Sequence, residues 1–369
     1  MSDSEGRKTR RRRSGFLDLV NAVLTLVVIG IIAAVGLMLF FAQQFYAPGP
    51  EREETAFTVE RGNGLQVVAA RLESEGLISN RFIFQFGAMA LKKQGELKAG
   101  EFRIAAGAPM ADILRELTEG RPIFYGVTVP EGFTAWQVME RINSNETLVG
   151  EPVARPAEGS ILPQTYTFDR GTERSAVLTQ MQEAMAAEVA RIWANRAPDL
   201  PISSPEEMVV LASIVEKETG LATERAQVAS VFVNRLRRGM RLQSDPTIIY
   251  GITNGEGVLG RGLRRSEIEQ RTDYNTYQID RLPPTPIANP GRESLEAVAN
   301  PADTDYLYFV AAGAVPSDGH IFAETYAEHR RNVARYRQIV QEAAEAAEAA
   351  AARDAVEAEE AGQPAPQGQ

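Results

Sequence analysis

From Ala22 to Ala42 the chain reads AVLTLVVIGIIAAVGLMLFFA, with Thr25 as its one polar side chain. A helix of that length matches the roughly 30 Å of a bilayer's hydrocarbon core. A cleaved signal peptide has a shorter apolar region followed by small residues. Here the run ends in Phe40, Phe41, Ala42, Gln43, Gln44 and Phe45, so an uncleaved anchor is expected. Arg7, Lys8, Arg10, Arg11, Arg12 and Arg13 lie just ahead of it. Such a cluster can serve as a nucleic-acid arm, but against an apolar span it reads as the cytoplasmic flank, and no nucleic-acid partner is expected. Everything after Tyr46 then lies across the membrane.

The 369 residues leave room for two domains besides the span, and an apolar fraction of 44% supplies a packed core. The net charge of −10 averages a basic start with an acidic end. No cysteine is present, which excludes disulfides, thiolate-bound zinc and a cysteine nucleophile. His320 and His329 are the two histidines, too few for a His-rich metal site and without a nucleophile-elbow pattern. Carboxylates are the expected agents of any chemistry, with no metal or cofactor.

Pro48, Gly49, Pro50 and the polar run Glu51–Glu54 form a linker, and folding should begin near Phe57. Three strand-like stretches then each lead into a glycine turn and a helical pattern. They are Phe57–Val59, Phe102–Ile104 and Val127–Val129. The first two helices carry apolar residues at Leu65, Val68, Ala69, Leu72 and at Met110, Ile113, Leu114, Leu117, each with one face to bury on a small sheet. A module boundary falls at or before the stretch 158–168. A helix is expected from about Arg174 to Asn195, and an alanine- and glutamate-rich helix from Tyr326 that starts docked and becomes solvated. The residues Gly362–Gln369 read as disordered.

Ser204-Pro205-Glu206-Glu207 supplies an N-cap, a proline at the first helical position and a glutamate three residues on, which specifies a helix start. The helix continues Met208–Val215, apolar nearly all round, and reaches Glu216, Lys217 and Glu218. Stepping back three, four and seven from Glu218 lands on Val215, Ile214 and Leu211, so its carboxyl shares the buried face near the negative helix end. Both disfavour ionisation, and a raised pKa suits a general acid at neutral pH. The alternative is that Glu216 and Glu218 are solvated last-turn glutamates paired with Lys217 or Arg225.

The block from Leu211 to Gly251, LASIVEKETGLATERAQVASVFVNRLRRGMRLQSDPTIIYG, closely resembles the YceG-like family, the endolytic murein transglycosylases known as MltG. Thr272–Tyr277, Leu282–Pro284, Pro286–Gly291, Ala299–Ala302 and Tyr306–Val310 match further, in the same order. The resemblance runs from the anchor to about Arg330. It implies an α+β fold: a single transmembrane helix, a small LysM-like module, then a mixed α+β catalytic domain. The segments are then 1–21 cytoplasmic, 22–42 transmembrane, 43–56 linker, 57–125 LysM-like, 126–335 catalytic and 336–369 tail.

It also implies an inner-membrane lytic transglycosylase with a periplasmic catalytic domain, cutting the β-1,4 bond between N-acetylmuramic acid and N-acetylglucosamine of peptidoglycan. Glu218 would be the catalytic residue, the one the helical face also favours. Gln243, Ser244 and Asp245, with Tyr274, Asn275 and Tyr277, are candidates to hold the sugar, while Asp245 before Pro246 suits a turn equally well. Glu216 is a candidate to tune its neighbour. Peptidoglycan synthases of elongation or division are the expected partners. A hydrolytic muramidase and a non-catalytic peptidoglycan-binding scaffold stay open as alternatives.

Overall fold

The computed structural model describes residues 15–360, which form two compact units meeting in sequence at Phe124–Tyr125. The basic cluster Arg7–Arg13 and the residues 362–369 lie outside the described residues.

The first unit begins with α1 (Gly15–Tyr46), followed by β1 (Thr55–Val59), α2 (Leu65–Ser74), α3 (Arg81–Ala90), β2 (Gly100–Ile104) and α4 (Met110–Glu119). One helix in the described residues is long and apolar enough to cross a membrane, Leu19–Tyr46 within α1. It runs past Ala42 into the stretch expected to be linker, because its last turns have something to pack on: Phe45 is buried in the unit's core and Phe41 lies against it. β1 and β2 pair antiparallel, Phe57 opposite Phe102, and Val68, Leu72, Phe84, Ile113, Leu114 and Leu117 fill the space beside them. α3, unread in the sequence, is capped by Asn80, whose side chain accepts from Phe82 N and Ile83 N.

The second unit holds β3 (Tyr125–Thr128), α5 (Ala135–Asn143), β4 (Thr165–Phe168), α6 (Arg174–Ala194), α7 (Pro205–Glu218), α8 (Arg225–Arg237), α9 (Asp245–Thr253), α10 (Arg265–Glu269), α11 (Arg292–Ala299), β5 (Tyr308–Ala311), β6 (His320–Ala323) and α12 (Tyr326–Glu360). The three strand-glycine-helix stretches do not share one sheet. β3 pairs with β4, Val127 opposite Tyr166, and that strand pair packs with α5 and α6 around Val138, Ile142 and Met181. Among the described residues three separate two-stranded antiparallel sheets result, the third formed by β5 and β6.

α7 is the central helix of this unit. Ser204 Oγ accepts from Glu207 N at 3.2 Å, and Glu207 in turn accepts from Ser203 N, one residue ahead of the cap. Every residue from Met208 to Val215 is buried, packed among α6, α8, α9 and α11. Burying an aliphatic side chain contributes about 1.5–3 kcal/mol, so this helix is fixed in position by its whole circumference. Ser213, the polar exception, donates to Val210 O and accepts from Ile287 N at 3.0 Å, which pins the proline-rich loop 283–290 to it. α12 packs on β5 and β6 at its start, and beyond Val340 its described side chains are exposed.

Candidate active site

α7 stops at Glu218 because Thr219 turns extended, φ −145° and ψ 135°. Its hydroxyl donates to Glu224 Oε1 at 2.5 Å and accepts from Leu221 N, closing the turn that leads into α8. Glu224 is buried, and it also accepts from His320 N at 2.9 Å and sits 2.7 Å from His320 Nδ1. One carboxylate thus ties the residue after Glu218 to the start of β6.

α8 carries Asn234 and Arg235, both buried. Asn234 Nδ2 donates to Thr304 O and Tyr306 O, and Arg235 donates to Leu307 O at 2.7 Å and to Leu242 O at 2.6 Å. These bonds hold the approach to β5 and the loop entering α9 on either side of the end of α7. In that loop Gln243 adopts φ +52°, a left-handed conformation that costs a side-chain-bearing residue about 1–2 kcal/mol. Its N–H donates to Thr276 O, and the turn swings Ser244 toward Glu218.

Ser244 Oγ donates to Glu218 Oε1 at 2.6 Å. Ser244 is the N-cap of α9, yet its side chain makes no bond to that helix. A serine at this position ordinarily accepts from its own first turn, so the helix forgoes a cap in favour of the carboxyl group. Thr276 Oγ1 takes over part of the support, accepting from Ser244 N at 2.9 Å.

Glu218 lines a cavity of about 380 Å³ together with Phe232, Arg235, Leu242, Gln243, Asp245, Tyr277, Tyr308, Phe309, Tyr326 and His329. Burial pushes its pKa above the ordinary carboxylate value and Asp245 adds to this, while the Ser244 hydrogen bond, His320 and Arg235 oppose the rise. The result is a carboxyl group biased toward its protonated form, with a hydroxyl in place to receive the charge when it ionises. His329 stacks on Tyr308 at 5.1 Å, and burial and Arg235 push its pKa down.

Of the residues singled out in sequence, Glu218, Gln243, Asp245 and Tyr277 meet at this cavity, with Ser244 behind Glu218. Tyr277 OH donates to Asp245 Oδ1 at 2.7 Å. Tyr274 and Asn275 are not among the lining residues. Tyr274 bonds Thr285 and packs against Tyr250, and Asn275 is fully buried with its amide donating to Glu267 O, Ile268 O and Gln270 O. Glu216 turns elsewhere and accepts from Gly291 N at 2.8 Å, and the carboxylate that raises Glu218 is Asp245. Arg225 pairs with Glu293 rather than with either glutamate of the last turn.

Sequence reasoning missed Arg235, Tyr308, Tyr326 and His329. The stretch Tyr306–Val310 carries the family resemblance in sequence, but nothing in its pattern assigns Tyr308 a role. Arg235 left a signal of its own, a charged residue on an otherwise apolar helical face. Among the described residues no three His, Cys, Asp or Glu side chains converge as metal ligands.

Comparison with known proteins shows the family. The profile of the YceG-like family matches residues 57–335. The endolytic murein transglycosylase of Streptococcus pneumoniae D39 is 28% identical over 327 residues, an alignment covering 75% of this chain and 57% of that protein. The chain therefore spans little more than half the length of its streptococcal relative. The endolytic murein transglycosylase of Bacillus subtilis 168 is 27% identical over 312 residues, covering 75% of this chain and 83% of the relative. A crystal structure of a yceG-like protein from Listeria monocytogenes is 28% identical, covers 76% of this chain and 98% of that one, and superposes with a TM-score of 0.47.

Proposed function

This chain belongs to the YceG-like family, and from that premise we propose that it is a membrane-anchored endolytic lytic transglycosylase of peptidoglycan, with Glu218 as its acid and base. The observation that carries the reading is Glu218 itself: a carboxyl group raised by burial, bonded to Ser244, and set in a cavity with polar and aromatic walls.

In the reaction, protonated Glu218 gives its proton to the oxygen of the β-1,4 bond between N-acetylmuramic acid and N-acetylglucosamine, and that bond breaks. Positive charge develops on the muramic ring. The carboxylate left behind accepts a bond from Ser244 and then removes the proton of the muramic 6-hydroxyl, whose oxygen closes onto the anomeric carbon as a 1,6-anhydro end. The proton taken up regenerates the acid. Glycosidases that use water need a second carboxylate as base or nucleophile; a substrate that supplies its own hydroxyl needs one.

Gln243, Asp245 and Tyr277 would hold the sugar through hydrogen bonds, and the exposed ring of Tyr326 suits an apolar face of the sugar, with Tyr308 held between His329 and Arg235 as the wall behind it. Tyr274 and Asn275 would act by building the loop that carries Tyr277. α1 is the span of the inner membrane, with the N-terminus cytoplasmic and the rest of the first unit and the second unit in the periplasm. The first unit, with its helices packed on a two-stranded sheet, would serve as a LysM-like glycan-binding module ahead of a catalytic domain from 126 to 335. Peptidoglycan synthases of elongation or division are the partners this reading names, with cleavage ending nascent strands.

Asp245 at the same cavity supports the competing reading, a muramidase that activates water. Digesting purified glycan strands with the full chain in ¹⁸O-labelled water separates the two. Anhydro ends without label support the transglycosylase, and labelled reducing ends the muramidase. No cleavage at all leaves the scaffold reading.

A further inference from the structure

α3 presents Phe82, Phe86 and Met89 at positions i, i+4 and i+7 of one helical face, and all three are exposed, at 64%, 48% and 53%. Its other face is buried through Ile83, Phe84, Gly87 and Ala88, so the helix is apolar on both sides. Leu91, just past its end, is also exposed. A contiguous apolar face of this kind on a folded unit marks an interaction surface.

The place of α3 within the first unit says what covers it. The ring of Phe86 lies 5.6 Å from that of Phe41 on α1, and the backbone of Gly87 fits so closely against Phe45 that a Cβ there would fall 2.3 Å from its ring. The exposed face is thus fixed beside the last turns of the apolar helix. Counted from Ala22 at 1.5 Å per residue, Phe41 stands about 28 Å along the run, the depth at which a hydrocarbon core of about 30 Å ends. Aromatic side chains concentrate at that boundary. Lys92, just past the C-cap Leu91, is exposed and offers a cation for lipid phosphates to pair with.

The geometry points to α3 as an interfacial helix: Phe82, Phe86 and Met89 insert into the leaflet from which α1 emerges, so that the first unit rests on the lipid surface instead of hanging free from it. The inference depends on α1 being the membrane span. The partner is the acyl and headgroup boundary of the bilayer that holds α1.

The chain has no cysteine, so single-cysteine variants report one site each. Spin labels are placed at Phe82→Cys, Phe86→Cys and Met89→Cys in the full chain in phospholipid nanodiscs, with Ile32→Cys as the marker for the span. Collisions with oxygen and with a water-soluble nickel chelate are then compared. Greater collision with oxygen than with the chelate at Ile32 and at all three α3 sites is the expected result. Oxygen preference at Ile32 with chelate preference on α3 overturns the inference and leaves the anchor intact. Shielding of α3 from both probes means a protein covers the face, and also overturns it. Chelate access at Ile32 removes the anchor, and the inference with it. Unchanged melting temperatures for the variants confirm that each label sits on a folded protein.

Discussion

Ser244 Oγ lies 2.6 Å from Glu218 Oε1, at the end of a helix whose N-cap that serine is and whose first turn it does not cap. A residue in a capping position that bonds a half-buried carboxyl group instead is placed there for the carboxyl group, since local stability favours the cap. The bond favours the ionised form, the state Glu218 would enter on giving up its proton in the proposed reaction.

Ser244→Ala should therefore slow turnover while the protein stays folded. A hydrogen bond to a charged group is worth about 1.5–3 kcal/mol, of which a proton transfer part-way along its path loses a fraction, for a fall of about tenfold in kcat. With that opposing bond gone, burial and Asp245 raise Glu218 further, and the alkaline limb of the rate profile moves to higher pH. Rates of glycan cleavage across pH for both proteins check this.

Glu218 also sets a term in stability. Its folded pKa lies above the unfolded carboxylate value through burial and Asp245, so the unionised form is the one the fold accommodates. Its contribution is fully present below the unfolded value and is lost as pH rises through the folded pKa. Glu218→Gln, uncharged at every pH, should melt higher than the parent at pH 8 and show a smaller difference at pH 4. Melting curves at the two pH values decide it.

Glu224 behaves in the opposite sense. Burial alone would raise it, but hydrogen bonds from Thr219 and His320 outweigh burial and hold it below 4.5. The stability it gives is present above its unfolded value and is lost as pH falls through the folded pKa. Glu224→Gln should be less stable than the parent at pH 7, with the gap narrowing under acid. Because Thr219 follows Glu218 directly, its turnover should also fall, by more than the loss of folded protein accounts for. Urea unfolding and specific activity on the same samples measure both.

Asn275→Ala tests where that side chain acts. With the amide gone, the carbonyls of Glu267, Ile268 and Gln270 lose its three bonds, at a cost of about 2–4 kcal/mol. Stability should drop while KM of the folded fraction stays near that of the parent. A raised KM with unchanged stability would put Asn275 on the substrate.

The start of α7 was legible because its information is local: Ser204, Pro205 and Glu207 write the cap and Met208–Val215 the burial. The side of Glu218 followed from helical spacing, and the LQSDPT loop was recognisable as a segment. What spacing could not show was how distant segments meet. Asn275 and Tyr277 share one loop, yet the first turns inward to carbonyls and the second outward to Asp245, a difference set by backbone direction. Tyr308 and His329 come to Glu218 from β5 and α12, and Arg235 reaches the cavity because Leu307 and Leu242 offer it carbonyls. α3 went unread because RFIFQFGAMA is apolar on both faces and shows no single stripe.

The measurement that bears most directly on the role of Glu218 is the rate at which the full-length Glu218→Gln variant releases anhydromuramic ends from purified glycan strands. General acid-base catalysis contributes about 10²–10⁴-fold, and the loss should be at least of that order in a protein that melts no lower than its parent. Anhydro ends formed at the parental rate by the folded variant would contradict the assignment and move the chemistry to another group at the cavity, with Asp245 the first to test.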